Sequence, residues 1–216
     1  MKLTEGIPRL IVCHIADGSY EGTKAWFQQS ASQTSSHFIL AQDGRVCQCV
    51  PLSRMAWCNG TTTAKTDSRY FGLSTVPLVK ELGGNANQYS VSIECEGMYS
   101  KTKGALTDAQ LDALVQLIQD IRDEVKEAYG HAIPLTRDCI VGHNEITPKT
   151  RPHCPGELFP WDALMQRLQG ENAGKTLYCV MQQVGAFSSK EAAEREAMAR
   201  RSQEPGAYWF VQEKVV

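Results

Sequence analysis

The sequence predicts an α/β fold: a mixed central β-sheet flanked by helices, with a small C-terminal β-α-β extension. Three observations carry this reading. Short apolar runs of strand length alternate with helical segments over residues 8–168. Residues 108–129 repeat apolar side chains at helical spacing. After residue 168 a polar linker breaks the pattern, which then restarts on a smaller scale.

Taken in order, Arg9 to Ile15 is a short apolar run and predicts a first, buried strand. Thr23 to Gln29 is a short helix candidate. Ser36–Leu40 and Arg45–Val50 flank Gln42-Asp43-Gly44, and an Asp-Gly pair between two such runs signals a hairpin. Asn59 to Gly84 is rich in Thr, Ser, Gly and Lys without clear periodicity, which predicts a long surface excursion of the kind that borders sites. Tyr89 to Cys95 alternates as a strand.

Thr107 and Gln110 form a capping box, after which Leu111, Leu114, Val115, Ile118, Ile121 and Val125 mark the inner face of an amphipathic helix over 108–129. Cys139-Ile140-Val141-Gly142 is another short buried strand, followed by a loop from Asn144 to Gly156 and a helix near Trp161 to Leu168. The predicted main domain is therefore 1–168, with a linker at 169–174 and an extension at 175–216. In the extension, Leu177–Met181 reads as a strand, Ser188 and Glu191 as a capping box opening a helix to about Arg201, and Ala207–Val211 as a strand. About 40 residues make a poor independent core, so the unit is expected to dock on the main domain or pair with a partner.

A chain of 216 residues buries one substantial core plus an appendage. Its net charge of −2 gives no electrostatic case for nucleic acid or an anionic membrane surface. No stretch approaches the roughly 18 apolar residues of a membrane helix, and Met1 to Pro8 lacks the apolar core of a signal peptide. The expectation is synthesis in the cytoplasm. The eight cysteines follow no regular spacing, and Cys13, Cys95 and Cys139 sit in apolar runs, so they read mostly as reduced core thiols.

Two histidines stand where strands should end: His14 closes the first, and His143 follows Val141-Gly142. Strand ends place side chains at the rim of an open sheet, where α/β folds hold ligands. Eleven residues after His143 comes Cys154, between Pro152 and Pro155-Gly156. Two imidazoles and a thiolate suit zinc and leave a fourth position for water. From the residues alone, hydrogen-bonded structural histidines are the commoner reading, and the zinc set is the minority one.

The run Ile11-Val12-Cys13-His14, then Ser35–Leu40 with Asp43-Gly44, Met55-Ala56-Trp57, Val91–Gly97, Val141–Ile146 and Cys154-Pro155-Gly156 follows a known order. It resembles the N-acetylmuramoyl-L-alanine amidases of the phage-lysozyme and peptidoglycan-recognition-protein superfamily, over about residues 8–168. The resemblance implies a mixed sheet with Zn2+ over one edge, and hydrolysis of the amide joining N-acetylmuramic acid to L-alanine in bacterial peptidoglycan. It implies His14, His143 and Cys154 as zinc ligands and Glu94 as the acidic residue beside the metal-bound water. Glu94 has a plainer reading as a solvent-facing strand glutamate, with Glu96 on the same face. Trp57, Asn59, His37 and His153 are candidate substrate contacts, although His37 also fits a packing or hydrogen-bonding role.

The chain departs from the family at two places. Cys58 stands where many relatives have histidine, and Pro152 where many have the Lys or Thr that supports an oxyanion. Arg151 is the nearest basic substitute, with Lys149 and His153 close by. In the tail, Leu177–Val180 with Val184–Ala193 resembles half of a sporulation-related glycan-binding repeat, the alternative being a generic extension. Exposed aromatics among Tyr208, Trp209 and Phe210 would then stack on sugars. The expected partner is peptidoglycan, with no nucleic acid and no membrane segment, and the protein is expected to be a monomer. An endolysin or autolysin reaching the wall through lysis or a non-classical route fits these features.

Overall fold

The computed structural model describes residues 7–170, 177–181, 185–187, 195, 199 and 210–214. Its main sheet has five strands in the order β3-β2-β4-β1-β5. These are β1 (Leu10–Ile15), β2 (Phe38–Leu40), β3 (Val46–Gln48), β4 (Ser90–Cys95) and β5 (Ile140–Gly142). The pairs β2–β4, β4–β1 and β1–β5 are parallel, and only the edge strand β3 runs antiparallel. The mixed α/β fold is as the sequence predicts.

Parallel strands need both faces covered. On one face Ile11, Cys13, Val91, Ile93 and Ile140 pack beneath α4 (Asp108–Tyr129) and α6 (Trp161–Gln169). The apolar positions read from the sequence, Leu111 to Val125, are those that α4 buries. Its capping box is present, the Thr107 hydroxyl accepting from Gln110 N–H and the Gln110 side chain accepting from Thr107 N–H. On the opposite face, α1 (Tyr20–Phe27) places Tyr20 and Phe27 against Ile39, and α2 (Pro77–Leu82) places Val79 against Leu10 and Val12.

Several boundaries differ from the sequence reading. Helix α1 begins at Tyr20 rather than Thr23, because the Ser19 hydroxyl accepts from Gly22 N–H and caps it earlier. The Asn59–Gly84 excursion contains α2, opened by Pro77 in its first turn. The loop after β5 starts as a short helix, α5 (His143–Ile146).

The tail forms a separate antiparallel sheet of β6 (Leu177–Met181), β7 (Gly185–Phe187) and β8 (Phe210–Lys214), in the order β7-β6-β8. The simple β-α-β expectation missed β7, and its last strand, read as Ala207–Val211, overlaps β8 at Phe210 and Val211, with 207–209 outside the described residues. The Ser188/Glu191 capping box and Tyr208 and Trp209 lie outside the described residues, while Arg195 and Ala199 are helical. No helix among the described residues is long and apolar enough to cross a membrane.

Candidate metal centre

Parallel pairing brings the carboxyl ends of β1, β4 and β5 to one rim of the sheet. His14 and Glu94 are register partners one residue from the ends of their strands, and Cys13 lies opposite Gly142, so His143 emerges beside them. Alternation turns Ile11 and Cys13 into the α4 core and leaves His14 and Glu94 on the other face.

The third donor arrives on a loop held by backbone contacts. Cys154 accepts at its carbonyl from Asn144 N–H (2.7 Å), and its own N–H donates to Arg151 O (3.2 Å). The following turn presses against residues 103–104, just past the short helix α3 (Tyr99–Thr102): a Cβ on Gly156, at φ +126°, would stand 2.2 Å from Lys103 O. Only glycine permits that approach and that φ. The end of β5 is fixed as well. Glu145 accepts from Gly142 N–H (2.7 Å) and from Arg137 (2.6 Å), whose guanidinium lies 3.6 Å from the Trp161 ring centre.

The result is a cluster in which one donor atom each from His14, His143 and Cys154 lies within 4.8 Å of the others. The two imidazoles meet edge to face, with centroids 4.5 Å apart. His14 Nδ1 is 3.8 Å from Cys154 Sγ and 3.7 Å from Glu94 Oε1. A zinc ion bound tetrahedrally to a nitrogen and a sulfur holds them about 3.6 Å apart. The donor types and the His14–Cys154 spacing therefore fit zinc. His14, Cys58 and Glu94 form a second close group, which shares His14 and would spend the carboxyl as a ligand.

Burial sets the protonation of these groups. It holds His14 down at about 3 against an upward pull from the Asn59 side chain, with Arg151 adding a smaller push downward. His143 is held at about 2 by burial, then by His14 and Arg151. Burial pushes the Cys154 thiol up to about 12, with Glu94 adding to the rise, and Glu94 itself up to about 8 against the pull of Arg151. Both imidazoles are thus neutral, the form that ligates. A divalent cation among them favours thiolate and carboxylate, offsetting the burial penalty.

A cleft of about 880 Å³ opens over the cluster, walled by Trp26, Trp57, Tyr70, Tyr99, Arg151 and His153. The sequence reading named Trp57, Arg151 and His153 but missed Trp26, Tyr70 and Tyr99. Half-exposed Trp26 on the polar side of α1 was the one available signal. Arg151 donates to Thr150 O, and the His153 ring stacks on Tyr99 at 5.0 Å.

Glu94 is 9% exposed, so the solvent-facing alternative does not hold. Glu96, past the end of β4, accepts from Tyr20 N–H (2.9 Å) and Gln42 N–H (2.7 Å) and ties α1 to the hairpin. His37 is 1% exposed; Ser92 N–H donates to its Nδ1 (3.1 Å) and its Nε2 donates to Arg54 O (2.9 Å). Both nitrogens are committed to backbone, which corrects the substrate-contact reading in favour of the hydrogen-bonding one. Asn59 is fully buried and does not line the cleft, so it too is no substrate contact.

An open α/β sheet carrying two imidazoles, a thiol and a buried carboxyl at its rim has the architecture of a metal-dependent hydrolase. A family model described as N-acetylmuramoyl-L-alanine amidase matches residues 4–157, and the chain belongs to that family of peptidoglycan amide hydrolases. The N-acetylmuramoyl-L-alanine amidase A of Achromobacter lyticus is 26% identical over 74% of this chain and 82% of its own length. The 1,6-anhydro-N-acetylmuramyl-L-alanine amidase AmpD of Haemophilus influenzae is 26% identical over 63% of this chain and 60% of its own. Among solved structures, the E. coli amidase AmiD, in complex with anhydro-N-acetylmuramic acid-L-Ala-D-gamma-Glu-L-Lys, matches with a TM-score of 0.55. That match, at 24% identity, covers 76% of this chain and 58% of the AmiD chain and shows a shared fold. The chain spans about three fifths of the length of these last two.

Proposed function

We propose that this amidase hydrolyses the N-acetylmuramoyl–L-alanine amide of peptidoglycan with a zinc ion held by His14, His143 and Cys154. The supporting observation is the convergence of those three donors, from three separate stretches of chain, at one rim with Glu94 beside them. When bound, zinc supplies an acidified water and a Lewis acid for the amide carbonyl. Glu94 orients the attacking water and takes its proton, then delivers a proton to the departing L-alanine nitrogen. Arg151 supplies positive charge to the developing oxyanion. It is preferred over His153 because its charge is felt at His14, His143, Glu94 and Cys154 alike, whereas the His153 ring is stacked on Tyr99.

The cleft aromatics Trp26, Trp57, Tyr70 and Tyr99 offer flat apolar faces for a muramoyl-peptide. Residues 169–174 serve as a linker, and 175–216 as a unit that holds glycan strand. The separate β7-β6-β8 sheet is the support for this division. The protein acts on the wall as a monomeric endolysin or autolysin.

A metal-free thiol hydrolase is disfavoured, because burial raises both Cys154 and Cys58 thiols, the reverse of an activated nucleophile. Metal analysis coupled to a muropeptide cleavage assay decides the matter. The expected result is one zinc per chain, activity lost on chelation and recovered with zinc. Full activity in the chelated protein would overturn the proposal.

A further inference from the structure

Asn59 is buried, lies off the cleft, and yet its side chain is held on one side only. Its amide nitrogen donates to Ser90 Oγ (3.0 Å) and Ser92 Oγ (2.6 Å), two residues on the polar face of β4. Its backbone N–H donates to Asn87 Oδ1 (2.6 Å), which also takes Cys58 N–H (3.2 Å). The two serines use the NH2 group and so fix which way the amide faces. Asn59 Oδ1 points away from them and finds no hydrogen-bond partner.

One of the few other buried side-chain atoms without a partner, among the described residues, is His14 Nε2. The register explains why the two belong together. Ser92 stands opposite Val12 and Glu94 opposite His14, so an amide lying over Ser92 is one step along the sheet from the His14 ring. On the other edge of the ring, Nδ1 faces Cys154 Sγ and Glu94 Oε1.

We propose that Asn59 is a positioning residue whose amide oxygen accepts from His14 Nε2–H and so directs the Nδ1 lone pair at the metal. A neutral imidazole carries one proton, and the acceptor on one nitrogen decides which nitrogen ligates. The serines, Asn59 and His14 then form a chain running from the body of β4 to the ion. The inference rests on the zinc reading above. It assigns to this chain's own loop a task that composition and motif order leave blank.

The test is zinc affinity, measured by competition with a chromophoric chelator on the full chain, for wild type, Asn59→Ala, Asn59→Asp and Cys154→Ala. Asn59→Ala should weaken binding about 10- to 100-fold, the usual cost of an outer-shell partner. Asn59→Asp keeps an oxygen for Nε2–H while giving up the bonds to the serines, and should restore affinity to near wild type. A purely structural Asn59 predicts that Asp is as damaging as Ala, and that result would overturn the inference, as would wild-type affinity in Asn59→Ala. Should the variants fail to fold, 15N NMR of the zinc-loaded wild type decides alone: a protonated Nε2 with ligating Nδ1 on His14 supports the inference, and the opposite tautomer refutes it. Wild type that binds no zinc, or Cys154→Ala that binds it normally, would instead refute the underlying metal reading.

Discussion

The two faces of β4 make opposite use of one strand. Val91, Ile93 and Cys95 join the apolar core under α4, whereas Ser90, Ser92 and Glu94 face the other way and are just as buried. Burying a polar group costs free energy unless it is hydrogen-bonded. On this face the bonds are supplied: Asn59 donates to both serines, Ser92 N–H donates to His37, and the Ser36 hydroxyl donates to Ser92 O (2.9 Å). The apolar face carries the stability of the domain. The polar face holds a reactive carboxyl in position in the lining of the cleft.

That contrast can be broken from either side. The largest effect is expected from Cys154→Ala, which should take turnover to background and remove zinc while the metal-free melting temperature stays near that of wild-type apoprotein. Metal content and calorimetry check this together. Next is Glu94→Gln, nearly isosteric, which should keep zinc at wild-type stoichiometry and lower kcat about 10²- to 10⁴-fold; a variant with both zinc and full activity would remove Glu94 from the mechanism.

Ile93→Ala, one residue away on the apolar face, should do the reverse. It should cost about 2–5 kcal/mol in urea denaturation with zinc stoichiometry retained. The smallest effect belongs to Thr107→Ala, which is outside the cleft lining; it should lose about 1 kcal/mol through the helix cap and leave turnover unchanged.

What the sequence made legible follows from the range of the forces involved. β1, the Asp-Gly hairpin and the α4 cap depend on near neighbours, and each stands close to where it was read. The donor triad was legible through strand ends and motif order, since parallel pairing brings the ends of such strands to one rim. The state of Glu94 was not legible, because alternating Ser and Glu reads as a wet face, and the groups that cover that face, Ser36, His37 and the aperiodic loop around Asn59, are distant in the chain. His37 was ambiguous for a related reason: its role depends on Ser92 and Arg54, distant in the chain from any local signal. β7 escaped notice because three residues carry almost no periodicity.

The three proposed ligands come from β1, from the start of α5 and from the loop ahead of α6, so an unfolded chain offers no assembled site. Ion capture is then linked to the folding equilibrium, and free zinc at a hundred times its dissociation constant would deepen the native well by about 2.7 kcal/mol. Starving such a domain of its ion softens it as well as silencing it, and proteases would meet a looser substrate in zinc-poor surroundings.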